Sequence, residues 1–185
     1  IAHSPECDPA QGGSPMIFLN IGEPDFSAPP RVVQAAEACM RSGRTQYTQA
    51  TGMPALRERI ARWYGTRFGL DILPSRIVVT AGASAALQLA CLALFEAGDE
   101  VLMPDPSYPC NRHFVHALGG LPRLVPVDSH SRYQLTPEVA EEAWTPRTRI
   151  AMVASPSNPT GTLLEPGEVA ALAELAREKG ATLLV

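Results

Sequence analysis

From Pro30 onward the apolar positions change their spacing in a regular rhythm, with helix-period stretches alternating with short, nearly continuous apolar runs. Pro29 and Pro30 open a helix over Arg31–Ser42 that Gly43 ends, and Pro54 opens a second over Ala55–Phe68 that Gly69 ends. A strand over Arg76–Thr80 follows, then a helix over Ser84–Ala97 and a strand over Glu100–Met103. Next come a helix over Tyr108–Leu118, a strand over Pro122–Val127 and a helix opened by Thr136-Pro137-Glu138-Val139 that runs through Ala143. The series closes with a strand over Arg149–Ala154, a helix from Pro166 to near Gly180, and a strand over Ala181–Val185. Strands joined by helices of this length predict an α/β fold in three layers, a mostly parallel sheet flanked by helices, with right-handed crossovers. Because the last strand meets the end of the sequence with no turn after it, the 185 residues are expected to be a piece of a longer protein.

One stretch calls for a membrane check. Ile77–Phe95 is uncharged over 19 positions, long enough to span a bilayer, but the breaker Ala81-Gly82-Ala83-Ser84 divides it into a β-branched strand and a helix. Ile1–Pro15 is polar and rich in Pro and Gly without a basic start, and reads as a mobile arm rather than a signal peptide. With 45% hydrophobic and 18% charged residues, the composition is that of an ordinary globular protein. A net charge of −4 and no basic stripe give no reason to expect a nucleic acid or a membrane as partner. Cys7, Cys39, Cys91 and Cys110 lie 32, 52 and 19 positions apart, which fits no zinc, redox or small disulfide framework, so a reduced, cytoplasmic setting is expected. His113 and His116 share a helical face without a third ligand near them, so no metal site is expected.

Ligands of a parallel sheet collect beyond the carboxyl ends of its strands. Three such ends carry distinctive residues here. At Ala81–Ser84, the free amides of a first helical turn and the Ser84 hydroxyl suit an anion, although Ser84 also suits a plain helix cap. In Asp105-Pro106-Ser107-Tyr108-Pro109, the prolines hold Tyr108 either as a plate for a planar ligand or as a buried, hydrogen-bonded tyrosine. In Ser155–Gly161, Asn158 precedes Pro159, and the run is either a strand-to-helix turn or a rigid mount that aims the amide inward. Taken together, an anion cradle, an aromatic plate and an amide fit a phosphorylated aromatic cofactor. Neither G-x-G-x-x-G nor a Gly-Lys-Ser/Thr run is present to support a dinucleotide or a nucleoside triphosphate.

Four motifs occur in the order seen in class I/II aminotransferases, the fold type I pyridoxal phosphate enzymes. They are Leu19-Asn20-Ile21-Gly22-Glu23-Pro24-Asp25-Phe26, Tyr47-Thr48-Gln49-Ala50-Thr51-Gly52, Ala81-Gly82-Ala83-Ser84 and Ser157-Asn158-Pro159-Thr160-Gly161. The chain resembles the amino-terminal portion of that family from about Ile17 to Val185. The resemblance implies an arm and small-domain segment over residues 1–29, and the amino-terminal half of the cofactor-binding large domain over residues 30–185. It implies that Gly82, Ala83 and Ser84 hold the phosphate of pyridoxal 5'-phosphate, that Tyr108 stacks on its pyridine ring, and that Asn158 bonds its phenolic oxygen. Gly22, with Asn158, would meet the substrate. Tyr47 resembles the tyrosine that reaches the cofactor of the neighbouring subunit in a homodimer, although it also suits an anchor for the loop before the second helix.

The only lysine in the sequence is Lys179, and its place in the last turn of a helix is explained by the helix dipole. The family's Schiff-base lysine is therefore expected beyond Val185, together with the aspartate that faces the pyridine nitrogen and the arginine that binds carboxylate. Amino transfer between an amino acid and a 2-oxo acid is the implied reaction. A lyase or decarboxylase of the same fold and the aminotransferase-like effector domain of a transcription regulator are the alternatives.

Overall fold

The computed structural model describes residues 22, 24 and 26–185; the Ile1–Pro15 arm and most of the Leu19–Phe26 motif lie outside them. The chain divides into two compact units between Thr48 and Gln49. In the first, Pro29 and Pro30 start helix α1 (Pro30–Arg41), and Arg41 in its last turn pairs with Glu37 one turn back. Gly43 ends it with φ at 69°, a left-handed value at which a side chain would be strained.

Near the start of the second unit, Gly52, whose φ is 97°, precedes helix α2 (Pro54–Phe68), closed by Gly69. A 3₁₀ turn (Pro74–Arg76) leads to an extended segment and then to helix α3 (Gly82–Leu94). The α/β series that follows is β1 (Glu100–Asp105), α4 (Cys110–Ala117), β2 (Leu121–Pro126), α5 (Pro137–Ala143), β3 (Thr148–Met152), α6 (Pro166–Glu178) and β4 (Thr182–Leu184). Every expected helix forms, within a few residues of its expected ends.

The strand expected over Arg76–Thr80 does not form. Arg76 belongs to the 3₁₀ turn, and residues 77–80 pair with no strand of the described sheet. A β-branched run makes a strand only with a ladder partner beside it. Here the Val79 N–H bonds the Thr51 carbonyl at 3.1 Å, and Val78 is left exposed. The uncharged run Ile77–Phe95 is thus an extended segment and a helix of 13 residues. No helix among the described residues is long and apolar enough to cross a membrane.

The four strands lie in the order β2-β1-β3-β4, and all pairings are parallel. Alternation along the strands divides the core in two, because successive side chains point to opposite faces. Val101, Met103, Ile150 and Met152 pack with Cys91 and Leu87 of α3 and Val115 of α4. Leu102, Val125 and Val153 pack on the other face with Ala140 of α5 and Leu172 and Leu175 of α6. This is the expected three-layer α/β arrangement, a parallel sheet with helices on both faces.

Candidate active site

The strand order carries the first consequence for function. From β1 the chain leaves through α4 on one face, whereas from β3 it leaves through α6 on the other. Since β1 and β3 are neighbours, their exit loops diverge and leave a crevice beyond the carboxyl ends of the two strands. The loop after β1 carries Tyr108, and the loop after β3 carries Asn158. Helix α3 runs antiparallel to β1 on the α4 face, with its last turn leading into β1, so its first turn (Gly82, Ala83, Ser84) lies toward the same sheet edge.

Each loop owes its path to local chemistry. At the start of α3 the cap position is Ala81, which has no side-chain capping bond, and Ser84 is the third helical residue. The helix therefore does not use the Ser84 hydroxyl as its cap, and Ser84 is exposed beside the amides of the first turn. Gly82 sits at φ 82°, and a Cβ there would meet nothing within 4 Å. Backbone conformation, rather than crowding, sets the glycine at this position, and open space remains above the turn. The Thr80 hydroxyl donates to the Gly82 carbonyl at 2.9 Å and fixes the approach.

After β1, Arg112 of α4 reaches back to the Asp105 carboxylate at 3.1 Å, closing the loop that carries Tyr108. The Tyr108 ring is half-buried. A side-chain hydrogen bond with Cys110, and then the charge on that thiol when ionised, raises the phenol's pKa. The Ser107 hydroxyl in this loop, and the Asn111 carbonyl oxygen and Arg112 Nε in the first turn of α4, are enclosed without hydrogen-bond partners among the described residues.

After β3, the Ser157 N–H donates to the Thr162 carbonyl at 2.8 Å, and the Gly161 N–H donates to the Ser157 carbonyl at 2.8 Å. The Ser155 hydroxyl accepts from the Leu164 N–H at 3.0 Å. Ser157 is buried while Asn158 next to it is exposed, so the loop presents the amide at its surface. The Asp105-Pro106, Ser155-Pro156 and Asn158-Pro159 bonds are all cis. A residue that the sequence does not single out closes this loop. Gln134, with no exposed surface, donates from Nε2 to the Thr162 carbonyl at 2.7 Å and to the Ala154 carbonyl at 3.3 Å.

Lys179 caps the carboxyl end of α6, is exposed, and lies three residues before β4 begins at Thr182, which puts it toward the amino edge of the sheet. In the first unit, the Tyr47 side chain is fully exposed, and a Cβ on Gly22 would meet nothing within 4 Å. An open hollow of about 520 Å³ beyond β2, walled by Val127, Asp128, His130, Thr136 and Glu138, contains none of these residues.

A three-layer parallel sheet whose exit loops part at a strand reversal is the arrangement at which α/β proteins place their ligands. The family model for aminotransferase class I and II matches residues 14–185, and the chain belongs to that family. It is 37% identical over 172 residues to an aspartate aminotransferase of Geobacillus stearothermophilus, covering 93% of this chain and 44% of the relative. It is 40% identical over 158 residues to a valine–pyruvate aminotransferase of Mycobacterium tuberculosis, covering 85% and 40%. Among solved structures, an aminotransferase from Mycobacterium tuberculosis superposes with a TM-score of 0.85 at 39% identity, over 88% of this chain and 42% of that one. An aspartate aminotransferase from Thermus thermophilus with maleate gives 0.84 at 35% identity, over 89% and 43%. The chain thus spans less than half the length of the relatives it matches. Enzymes of this family generally depend on pyridoxal phosphate.

Proposed function

We propose that these residues form the cofactor-positioning part of an aminotransferase that moves an amino group between an amino acid and a 2-oxo acid. The observation that carries this reading is the divergence of the β1 and β3 loops at the strand reversal, with Tyr108 on one and Asn158 on the other. The residues fit pyridoxal 5'-phosphate on chemical grounds. Open space above Gly82, the exposed Ser84 hydroxyl and the amides of Ala83 and Ser84 suit a phosphate dianion, while the Gly82 N–H is held by the Thr80 carbonyl at 2.9 Å. The neutral Tyr108 ring suits a pyridine face, and the Asn158 amide, presented outward, suits donation to the ring's phenolic oxygen.

When bound, the cofactor supplies an electron sink for bonds at the substrate's α-carbon. This chain supplies grip and aim. Ser84 and the amides of Ala83 and Ser84 would hold the phosphate, Tyr108 would lie against the pyridine ring, and Asn158 would donate to the phenolic oxygen. Gly22, with no Cβ to block the approach, offers its backbone to the substrate carboxylate. The fully exposed Tyr47 reaches the phosphate in the partner's site, so that two copies of the whole protein complete each site. Lys179, at the carboxyl end of α6, faces the other edge of the sheet and takes no part in this site.

The direct test is a panel of amino donors with 2-oxo acid acceptors, using the whole protein that carries this sequence. The expected result is amino transfer that requires an acceptor; ammonia or pyruvate released without one would assign the site to a lyase.

A further inference from the structure

We infer that Gln134 is the positioning residue that sets the aim of Asn158, an inference that rests on the role just proposed for that asparagine. The loop after β3 runs from Ala154 past Asn158 to Thr162 before α6 begins, and the Gln134 side chain bonds both Ala154 and Thr162. Nε2 carries two hydrogens, and three acceptors face it: the Thr162 carbonyl at 2.7 Å, and the Ala154 carbonyl and Thr162 Oγ1 at 3.3 Å each. Turning the amide over would set Oε1 against two carbonyl oxygens, so only the donor can face the loop. The same Thr162 carbonyl accepts from the Ser157 N–H, the residue before Asn158. One amide therefore closes the neck of the loop and shares an acceptor with the backbone that carries the candidate residue.

Two further observations set Gln134 apart from an ordinary core side chain. Its side chain is fully buried while Oε1 has no partner among the described residues, an arrangement that stability alone would replace with leucine. The turn that delivers it is also held in a costly shape. Arg132 and Tyr133 are consecutive residues in the left-handed region, at φ 55° and 56°. The Arg132 guanidinium grips the Glu168 carboxylate at 2.6 and 2.7 Å, and Glu168 also accepts from the Glu165 N–H in the capping box of α6. Helix α6 thereby holds the turn, the turn points Gln134 inward, and Gln134 closes the Asn158 loop.

The test uses Gln134→Leu and Gln134→Glu in the whole protein. In the cofactor-free Gln134→Leu protein, amide exchange at Ser157 and Gly161 should speed up about tenfold, with exchange at Leu102 and Ile150 unchanged. In the loaded protein, cofactor dissociation should rise about tenfold, and the pH at which the bound cofactor's visible absorbance changes should move in the direction given by Asn158→Ala. Gln134→Glu should behave like the leucine variant only in alkali, once the buried carboxyl facing two carbonyls has ionised. It should recover loop protection as the pH falls and the protonated carboxyl again donates. Unchanged exchange at Ser157 and Gly161, or an equal acceleration throughout β1 and β3, would overturn the inference and leave Gln134 as core filling. Faster loop exchange with no movement of the absorbance would sustain the clamp and instead remove Asn158 from the cofactor's partners.

Discussion

Ser84, Tyr108 and Asn158 are short on partners of their own and long on fixed surroundings, which is what a binding residue needs. Ser84 is exposed and leaves the cap position of α3 to Ala81, so Ser84→Ala removes the proposed phosphate contact without removing a helix cap. In the whole protein it should weaken pyridoxal phosphate binding about 10- to 100-fold, as loss of a hydrogen bond to a charged group implies, with little change in melting temperature. Equilibrium dialysis beside a melting curve checks both halves. Gly82→Ala differs in kind. It meets open space but forces an alanine to φ 82°, so it should cost about 1–2 kcal/mol in urea unfolding. These residues were legible because special backbone positions draw on few residue types: Gly at a positive φ, Pro after Asn, Ser in a first helical turn. Gln134 was not legible. A glutamine between Tyr133 and Leu135 in a polar loop looks like any surface residue, and its burial arises only from tertiary contact.

At the scale of elements, the helices were the readable part, since proline starts and glycine ends mark them locally. The failed strand over Arg76–Thr80 shows the opposite case: a ladder depends on a neighbour that no local pattern reports. What binds that segment is Gly52. A Cβ there would lie 2.6 Å from two Val79 side-chain atoms, and Arg57 ties Thr51 to the Pro74 carbonyl beside it. Gly52→Ala combines a left-handed backbone with this clash and should destabilise by about 2–4 kcal/mol, read from the urea midpoint.

The amino edge of the sheet holds its own ionic anchor. Glu100 of β1 is buried, and the Thr145 hydroxyl, then the Arg147 and Arg123 guanidinium groups, hold its carboxyl below the ordinary range against the opposing effect of burial. A depressed native pKa adds stability above the unfolded value and loses it as pH falls through the native one. Stability should therefore decline as pH drops below about 4.3, and Glu100→Gln should flatten that acid limb while lowering stability near neutral pH. Urea midpoints across the acid range check the sign. Cofactor affinity should not move, because Glu100 begins β1 and the crevice lies beyond its other end.

For the molecule as a whole, layer order and strand order do the organising. Helices on both faces follow from near-continuous apolar strands, which the sequence displays openly. The position of the reversal, with β1 and β3 side by side, was not readable, because strand order is a matter of long-range pairing. Family resemblance supplied the functional reading that the residues alone left open between binding loops and ordinary turns. The proposed partnership of two copies makes its own prediction. Mixing whole-protein Tyr47→Phe with a variant inactivated at its own lysine should restore no more than a fraction of the sites, the fraction set by which chains carry an intact Tyr47 facing an intact lysine.

The most direct measurement is a crystal structure of the whole protein with pyridoxal 5'-phosphate. The account predicts one cofactor in the β1–β3 crevice, its phosphate on Ser84 and the first turn of α3, its ring against Tyr108, and its phenolic oxygen on Asn158. A cofactor held elsewhere, or those three side chains turned to separate surfaces, would contradict it.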